Sequence, residues 1–386
     1  MLRALCLSLC LAAAPVSAED VCTACANEPE RLSGLGAISH GPLTIANTRD
    51  EALRERWDGD WIFLETAHFK FASNLRAEPL NAKERKQLAP LLERVRPYVI
   101  DLPKKPRKLD PYLRLHLLAL RAEDFYARFQ RLLGVTDADF PESRQPTGPY
   151  MGNGKFLGEK NKFEVVYHLR RHTHLQLGEE FMGARVTDAL RWHFSEGHML
   201  LASVPAEDGD LRRDKWLFPH SVHLYSHLFL CAYKHFSYDP PIWLDEGLAH
   251  VMEREIEPLS TTQDGDEGSG PHRGGHQDWR GKDVLLAKRG KTTAFAVLMR
   301  YKAFHELSQN DHITVWSMVR FLVEEHPEKF AQFLGGLKGQ LDDKGYPTGA
   351  DMVGLQRRLL KETWGWTPAE FDEAWRNWVL GVNEKD

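Results

Sequence analysis

The segment from 220 to 255 constrains the fold of this chain more than any other part. Its first portion, 220–236, is so rich in Val, Leu, Phe and Ala that little polar surface is left, and 242–255 follows as a second helical stretch. A helix that is apolar on nearly all sides is buried on nearly all sides. The sequence therefore predicts two consecutive helices, the first of them in the core.

Two histidines and a carboxylate lie within these predicted helices. His223 and His227 are four residues apart, so both imidazoles lie on one helix face and reach a single ion, and Glu246 follows on the second helix. Zinc accepts two imidazoles and a carboxylate as ligands. Chance alone gives about one such histidine pair in a chain of this composition. Of the three pairs in this chain, only His223/His227 sits in an apolar helix with a carboxylate on the next one.

The residues around this pair resemble the gluzincin metallopeptidases of the peptidase MA-like group. Those enzymes carry H-E-x-x-H on one helix and a Glu in a W-L-x-E-G-L-A context on the next. Here residues 223–227 read His-Leu-Tyr-Ser-His, and residues 243–249 match the second pattern. The resemblance implies zinc ligands at His223, His227 and Glu246. It also implies an α+β zincin-like fold, with a small mixed sheet packed on the metal-bearing helices and a helical C-terminal half.

One position departs from the family pattern. Leu224 occupies the place of the glutamate that takes a proton from the zinc-bound water, and a leucine cannot titrate. General acid–base help is worth roughly 10²–10⁴-fold in rate. Tyr225 and Asp245 are expected to point away from the ion, because adjacent helical side chains are about 100° apart. The upstream carboxylates that remain open as a replacement base are Glu179, Glu180 and Glu196.

Three functions follow from these residues. The first is a catalytically impaired pseudopeptidase that keeps zinc and binds a peptide or a protein. The second is an active zinc hydrolase with a non-standard base. The third is a metal-free envelope interaction protein, in which His223 and His227 are hydrogen-bonded core residues.

Further polar residues lie near the predicted ligands. His250 is four residues after Glu246 and is expected to support a ligand through a hydrogen bond. Glu253 and His220 either support the ligands in the same way or are exposed to solvent. A separate group (His168, His172 and His174) alternates with arginines and is expected to form a solvated charged face, and His272 and His276 lie in a Gly-rich stretch.

The N-terminus has the pattern of an export signal. Arg3 precedes a short apolar run, and Val16-Ser17-Ala18 has the small residues of a cleavage site, so residues 1–18 are predicted to be a signal peptide. This predicts a periplasmic or secreted protein. In an oxidising compartment, Cys22 and Cys25 are expected to form a local disulfide.

The remaining organisation is read from composition and periodicity. The predicted units are a signal peptide (1–18), an extended N-terminal segment with the C-x-x-C (19–56), a zincin-like core (57–256), a mobile Gly-rich loop (257–283) and a helical C-terminal subdomain (284–386). A formal charge of -5 argues against a nucleic-acid partner, and no apolar run is long enough for a membrane span. The oligomeric state is not determined by the sequence.

Local signals predict individual elements. A helix over 81–99 is expected to begin with a capping box, and a helix over 122–133 is expected to end at Gly134. The apolar run 112–120 is expected to be a strand. Residues 198–204 are expected to be a strand at a sheet edge.

Overall fold

The fold is taken from a computed structural model of the chain. The structure describes residues 21–145, 148–194, 197–207, 209–265, 268–271 and 277–382. The predicted signal peptide, Glu196 and the pair His272/His276 lie outside these residues.

Helices and strands alternate in the first half of the chain, and helices dominate the second half. The helices are α1 (Pro29–Gly34), α2 (Asp50–Arg56), α3 (Ala82–Val95), α4 (Pro111–Leu133), α5 (Arg171–Met182), α6 (Asp214–Ala232), α7 (Ile242–Ile256), α8 (Arg280–Lys288), α9 (Phe295–Leu298), α10 (Gln309–Glu325), α11 (Pro327–Leu337), α12 (Met352–Trp364) and α13 (Pro368–Val382). The strands are β1 (Ala37–Ser39), β2 (Thr44–Ile45), β3 (Thr48–Arg49), β4 (Ile62–Thr66), β5 (Phe69–Ser73), β6 (Glu78–Pro79), β7 (Lys108–Leu109), β8 (Phe163–His168), β9 (Leu190–Phe194), β10 (Met199–Pro205), β11 (Thr262–Asp264) and β12 (Ser269–Pro271).

Six of these strands form one mixed sheet in the order β1-β4-β5-β8-β10-β9. The central strands β5, β8 and β10 are parallel, with Phe71 opposite Val165 and Ala202 opposite Val165 on its other side. The outer strands β1, β4 and β9 pair antiparallel. This arrangement agrees with the predicted α+β class.

Helix α6 packs on the sheet with one face and directs His223 and His227 towards the opposite side. Tyr225 and Phe229 pack on the sheet, where the rings of Phe229 and Phe163 are 4.8 Å apart and those of Tyr225 and Phe69 are 5.7 Å apart. Side chains two positions apart on a helix point about 200° away from each other. The sheet contact of Tyr225 therefore turns the histidines on either side of it away from the sheet and towards α7.

Helix α7 packs between α6 and α10, and a glycine permits the close approach. A Cβ built on Gly247 would lie 2.7 Å from the carbonyl oxygen of Val315 on α10 and 2.7 Å from a methyl carbon of Val319. Both distances are too short for a real Cβ contact. Gly247 therefore fixes the depth at which the neighbouring Glu246 sits.

Several local predictions are confirmed. The side chain of Asn81 accepts from the backbone N–H of Glu84, and the Glu84 carboxylate accepts from the Asn81 N–H, which is the predicted capping box. Gly134 ends α4 with φ +68°.

Two predicted strands are wrong in type or place. The run 112–120 is not a strand but lies in the first half of α4, which begins at Pro111. The carboxylate of the preceding Asp110 caps the N–H groups of Tyr112 and Leu113. A short apolar run fits a buried helix as well as a strand. The strand near 198–204 exists as β10, but it lies inside the sheet between β8 and β9, because an all-apolar run suits a strand buried on both faces.

The N-terminal segment also differs from the expectation. Residues 21–56 are not extended: they contain α1, α2 and three short strands, and β1 is the first strand of the main sheet. Cys22, Cys25 and Leu32 belong to the main hydrophobic core. None of the helices in the described part of the chain is both long and apolar enough to cross a bilayer.

Candidate metal centre

Four ligating side chains from three elements meet in the core. His223 and His227 come from α6, Glu246 from α7 and Asp264 from β11. All four residues are buried, and each offers one ligand atom within 4.8 Å of the other three. The sequence predicted the first three ligands, and the structure adds Asp264.

The distances between these atoms are short enough for one shared ion. The two Nε2 atoms are 3.2 Å apart, and Glu246 Oε2 lies 3.7 Å from His223 Nε2 and 3.5 Å from His227 Nε2. Asp264 Oδ1 lies 3.4 Å from His223 Nε2, and Asp264 Oδ2 lies 3.2 Å from His227 Nε2. Ligands 2.0–2.2 Å from a tetrahedral zinc are about 3.4 Å from each other. The imidazole nitrogens and the nearest carboxylate oxygens therefore have the spacing of ligands around one metal ion.

One oxygen of each carboxylate in this group has no hydrogen-bond partner. Glu246 Oε2 and Asp264 Oδ1 are buried and lack any hydrogen bond. Two buried carboxylates and two imidazole nitrogens that face each other carry a large desolvation cost unless a positive charge is present. The donor set therefore fits a bound metal ion.

A carboxylate also lies beside the other ring nitrogen, Nδ1, of each imidazole. Asp245 Oδ1 lies 2.8 Å from His227 Nδ1, and Glu253 Oε2 lies 3.3 Å from His223 Nδ1. Each carboxylate is therefore a charged neighbour of a ring at ion-pair distance, and neither Nδ1 atom has a hydrogen bond. Asp245 was expected to point away from the ion; it does not contact the ion position, but it does contact a ligand.

The second oxygen of Glu246 contacts two further histidines. Oε1 is 3.1 Å from His250 Nε2 and 3.0 Å from His312 Nδ1 of α10. Burial alone would raise the pKa of Glu246, but His250, His223 and His227 hold it well below its ordinary value. Glu246 is therefore a carboxylate with one oxygen left for the metal.

The segment after α7 docks on the centre through Glu253. Its Oε1 accepts from the hydroxyls of Ser260 at 2.7 Å and Thr262 at 2.6 Å, and Thr262 Oγ1 lies 3.0 Å from His220 Nδ1. His220 and Glu253 are thus both buried. The expectation of a loop wholly on the surface is wrong for this segment, because Thr262 and Asp264 are buried.

Arg191 of the sheet-edge strand β9 holds Asp264 from the other side. Its guanidinium forms an ion pair with Asp264 Oδ2 and lies over the ring of Phe304, 4.9 Å from the centroid. Burial would raise the pKa of Asp264, but the charges of Arg191 and His227 lower it. The carboxylate is therefore ionised, which is the ligating form.

None of the described candidates named from the sequence replaces the missing base. Leu224 is buried in the hydrophobic core, and the Tyr225 hydroxyl lies 2.6 Å from that of Tyr167. Glu179 and Glu180 are exposed and form ion pairs with Arg185 and Arg56, respectively. The third upstream candidate, Glu196, falls outside the described residues.

The histidines near residue 170 were misinterpreted as a solvated face. His168 and His174 are buried, and both contact Ser203 Oγ, at 2.9 Å and 2.7 Å. Burial lowers the pKa of His174 to about 4, so this histidine is neutral. His172 is exposed as expected.

Sequence reasoning missed Asp264 and His312. Asp264 lies in a Gly-rich stretch, and its burial depends on the docking of the β11–β12 hairpin. His312 lies on α10, 62 residues after His250. Neither position has a local pattern that singles it out.

Comparison with known proteins adds no assignment: no family model, no curated protein and no solved structure matches the chain.

Proposed function

We propose that this chain is an exported zinc-binding protein of gluzincin type whose metal centre is closed, and that it binds a peptide or protein without cutting it. The observation that carries the proposal is a fourth ligand, the Asp264 carboxylate, whose two oxygens lie 3.4 Å from His223 Nε2 and 3.2 Å from His227 Nε2. Structural zinc sites have four protein ligands, whereas catalytic sites keep one position for water.

Zinc is the ion that this donor set favours. Two imidazoles and two carboxylates suit zinc, and the spacing is that of a four-coordinate ion. Calcium and magnesium prefer six or more oxygen ligands. The gluzincin resemblance of residues 223–249 supports the same ion.

Two features argue together against peptide hydrolysis. Asp264 occupies the position that a reactive water needs, and Leu224 removes the group that would take the proton from this water. The β11–β12 hairpin carries Asp264. The hydroxyls of Ser260, just before this hairpin, and of Thr262, within it, donate hydrogen bonds to the Glu253 carboxylate. Moving Asp264 away so that water could bind the metal would therefore require breaking several buried contacts.

A cavity beside the centre supplies a place for a ligand. It has a volume of about 460 Å³ and is lined by Arg191, Trp192 and His193 of β9, by Asp245 and by Phe304, among other residues. β9 is a terminal strand of the six-stranded sheet, and such an edge can bind an extended peptide through its backbone. Export is proposed from the signal pattern of residues 1–18.

Metal analysis combined with a cleavage assay tests this proposal. The purified wild type is expected to hold tightly bound zinc and to leave a peptide library uncut. His223→Ala is expected to lose this zinc, and His172→Ala is the matched control because His172 is exposed. Zinc-dependent cleavage by the wild type, or equal zinc in the wild type and His223→Ala, would overturn the proposal.

One observation favours a second candidate, an active zinc hydrolase with a non-standard base. If the Asp264 carboxylate binds a metal-bound water and not the ion, it is the described acidic group best placed to take the proton, since it lies 3.2–3.4 Å from both ligating nitrogens. This candidate predicts cleavage by the wild type and its loss in Asp264→Asn.

A further inference from the structure

A second group of ligating side chains lies at the N-terminal end of the fold. Cys22 and Cys25 of the C-x-x-C, His40 from the turn after β1 and His116 of α4 each offer one atom within 4.8 Å of the others. None of these four residues belongs to the centre on α6 and α7. The two cysteines and His116 are buried.

Two sulfur–nitrogen distances in this group match those between ligands of a tetrahedral zinc ion. Cys22 Sγ lies 3.5 Å from His116 Nε2, and Cys25 Sγ lies 3.7 Å from His40 Nε2. Zinc–sulfur bonds of about 2.3 Å and zinc–nitrogen bonds of about 2.05 Å place sulfur and nitrogen about 3.5 Å apart at the tetrahedral angle. The ring centroids of His40 and His116 are 5.0 Å apart, and the ring planes are nearly perpendicular, at 89°. Two imidazoles that approach one ion from different directions can have this arrangement.

The surrounding backbone holds the ligands in place. His40 Nδ1 lies 3.0 Å from the carbonyl oxygen of Phe63 on β4, so Nδ1–H donates there and the lone pair of Nε2 faces the cysteines. The N–H of Ala26 donates to the Cys22 carbonyl at 2.7 Å, which closes the C-x-x-C into a turn. Thr23 Oγ1 donates to Asp110 at 2.8 Å and ties this turn to the start of α4.

The structure assigns Cys22, Cys25, His40 and His116 as a second, structural zinc site that fastens the N-terminal segment to β4 and α4. Two thiolates neutralise the charge of Zn²⁺, so the buried site needs no further counter-ion. Four protein ligands leave no position for water, which is the pattern of a structural site. The ligands are up to 94 residues apart, so the ion cross-links segments that lie far apart in the chain.

The disulfide predicted for Cys22 and Cys25 is the competing state of this pair. In the structure both sulfurs are free thiols. A disulfide would use both sulfurs and leave Nε2 of His40 and of His116 without the partners described above. The two states exclude each other, because only thiolates ligate zinc.

Zinc counting with a thiol reagent separates this site from the first one. The purified full chain is treated with an organomercurial, which displaces zinc only from sulfur, and the released zinc is measured with a metal-sensitive dye. About one zinc per chain is expected to be released, and a strong chelator after denaturation is expected to release about one more. Release of no zinc by the mercurial, or a mass that shows Cys22 and Cys25 joined in a disulfide, would overturn the second site.

Variants assign the released zinc to its residues. Cys25→Ser and His116→Asn are each expected to lose the mercurial-released zinc, whereas Cys231→Ser, which removes the other described thiol, is expected to keep it. His223→Ala is expected to keep it as well, so loss of the first centre and loss of the second are told apart. If Cys25→Ser does not fold, the wild type is measured with cobalt(II) in place of zinc. Ligation by the cysteines is then expected to give sulfur-to-metal charge-transfer absorption, and its absence would refute the site.

Discussion

Replacement of Asp264 by alanine tests whether this carboxylate is a metal ligand. The side chain has no exposed surface and lies 3.4 Å and 3.2 Å from the two ligating nitrogens. Structural zinc is held by roughly 10–16 kcal/mol, which over four ligands is about 3 kcal/mol each, or about 100-fold in affinity. Asp264→Ala is therefore expected to weaken zinc binding by about 100-fold and to let water enter the fourth position.

The assay is a competition titration against a chelator of known affinity, in a Cys25→Ser background so that the thiol cluster does not compete. Cobalt(II) reports the coordination, because its visible absorption changes with ligand number and type. Asp245→Asn is the matched control: this carboxylate touches His227 Nδ1 at 2.8 Å but not the ion position. It is expected to cost roughly 10–100-fold in affinity without altering the cobalt coordination number.

Wild-type affinity together with an unchanged cobalt spectrum in Asp264→Ala would refute the four-ligand centre. Loss of folding is a separate result, because removal of Asp264 also leaves Arg191 without its ion-pair partner. Asp264→Asn, which keeps the shape of the side chain, is therefore measured alongside. It is expected to weaken zinc binding too, since an amide oxygen is a poorer ligand than a carboxylate.

Three other predictions concern packing, pH and catalysis. Gly247→Ala is expected to destabilise the fold by about 1–3 kcal/mol in denaturant unfolding, because the new Cβ would lie 2.7 Å from the Val315 carbonyl oxygen; equal or higher stability would contradict this close packing. Burial raises the pKa of Asp283 to about 7, above its unfolded value, so its contribution to stability is complete below about pH 4 and is lost as the pH rises towards 7. Asp283→Asn is therefore expected to be gradually more stable than the wild type from about pH 4 to pH 8, by up to about 4 kcal/mol, and a constant difference across this range would contradict the raised pKa. Leu224→Glu alone is expected to leave peptides uncut. Leu224→Glu with Asp264→Ala supplies both a general base and an open metal position, so this double variant is expected to cleave peptides. Cleavage by the single variant would show that Asp264 does not block the metal.

Local rules were sufficient for part of this molecule. The separation of four residues between His223 and His227 sets them on one helix face whatever surrounds the helix. The capping box at Asn81 and the left-handed glycine after α4 are likewise decided by neighbours in sequence. Where the pattern was only apolar, as in 112–120, sequence could not separate a buried helix from a strand, because both present an apolar surface to the core.

The amino-acid sequence by itself determined that two imidazoles and the carboxylate of Glu246 lie on consecutive helices and that a leucine follows the first of these histidines. Only the tertiary structure decided that Asp264 joins this group and that Cys22 and His116 meet across 94 residues. The physical reason is the range of the forces: helical spacing follows from backbone hydrogen bonds between near neighbours, whereas these contacts depend on how a hairpin and an N-terminal turn dock on elements far along the chain.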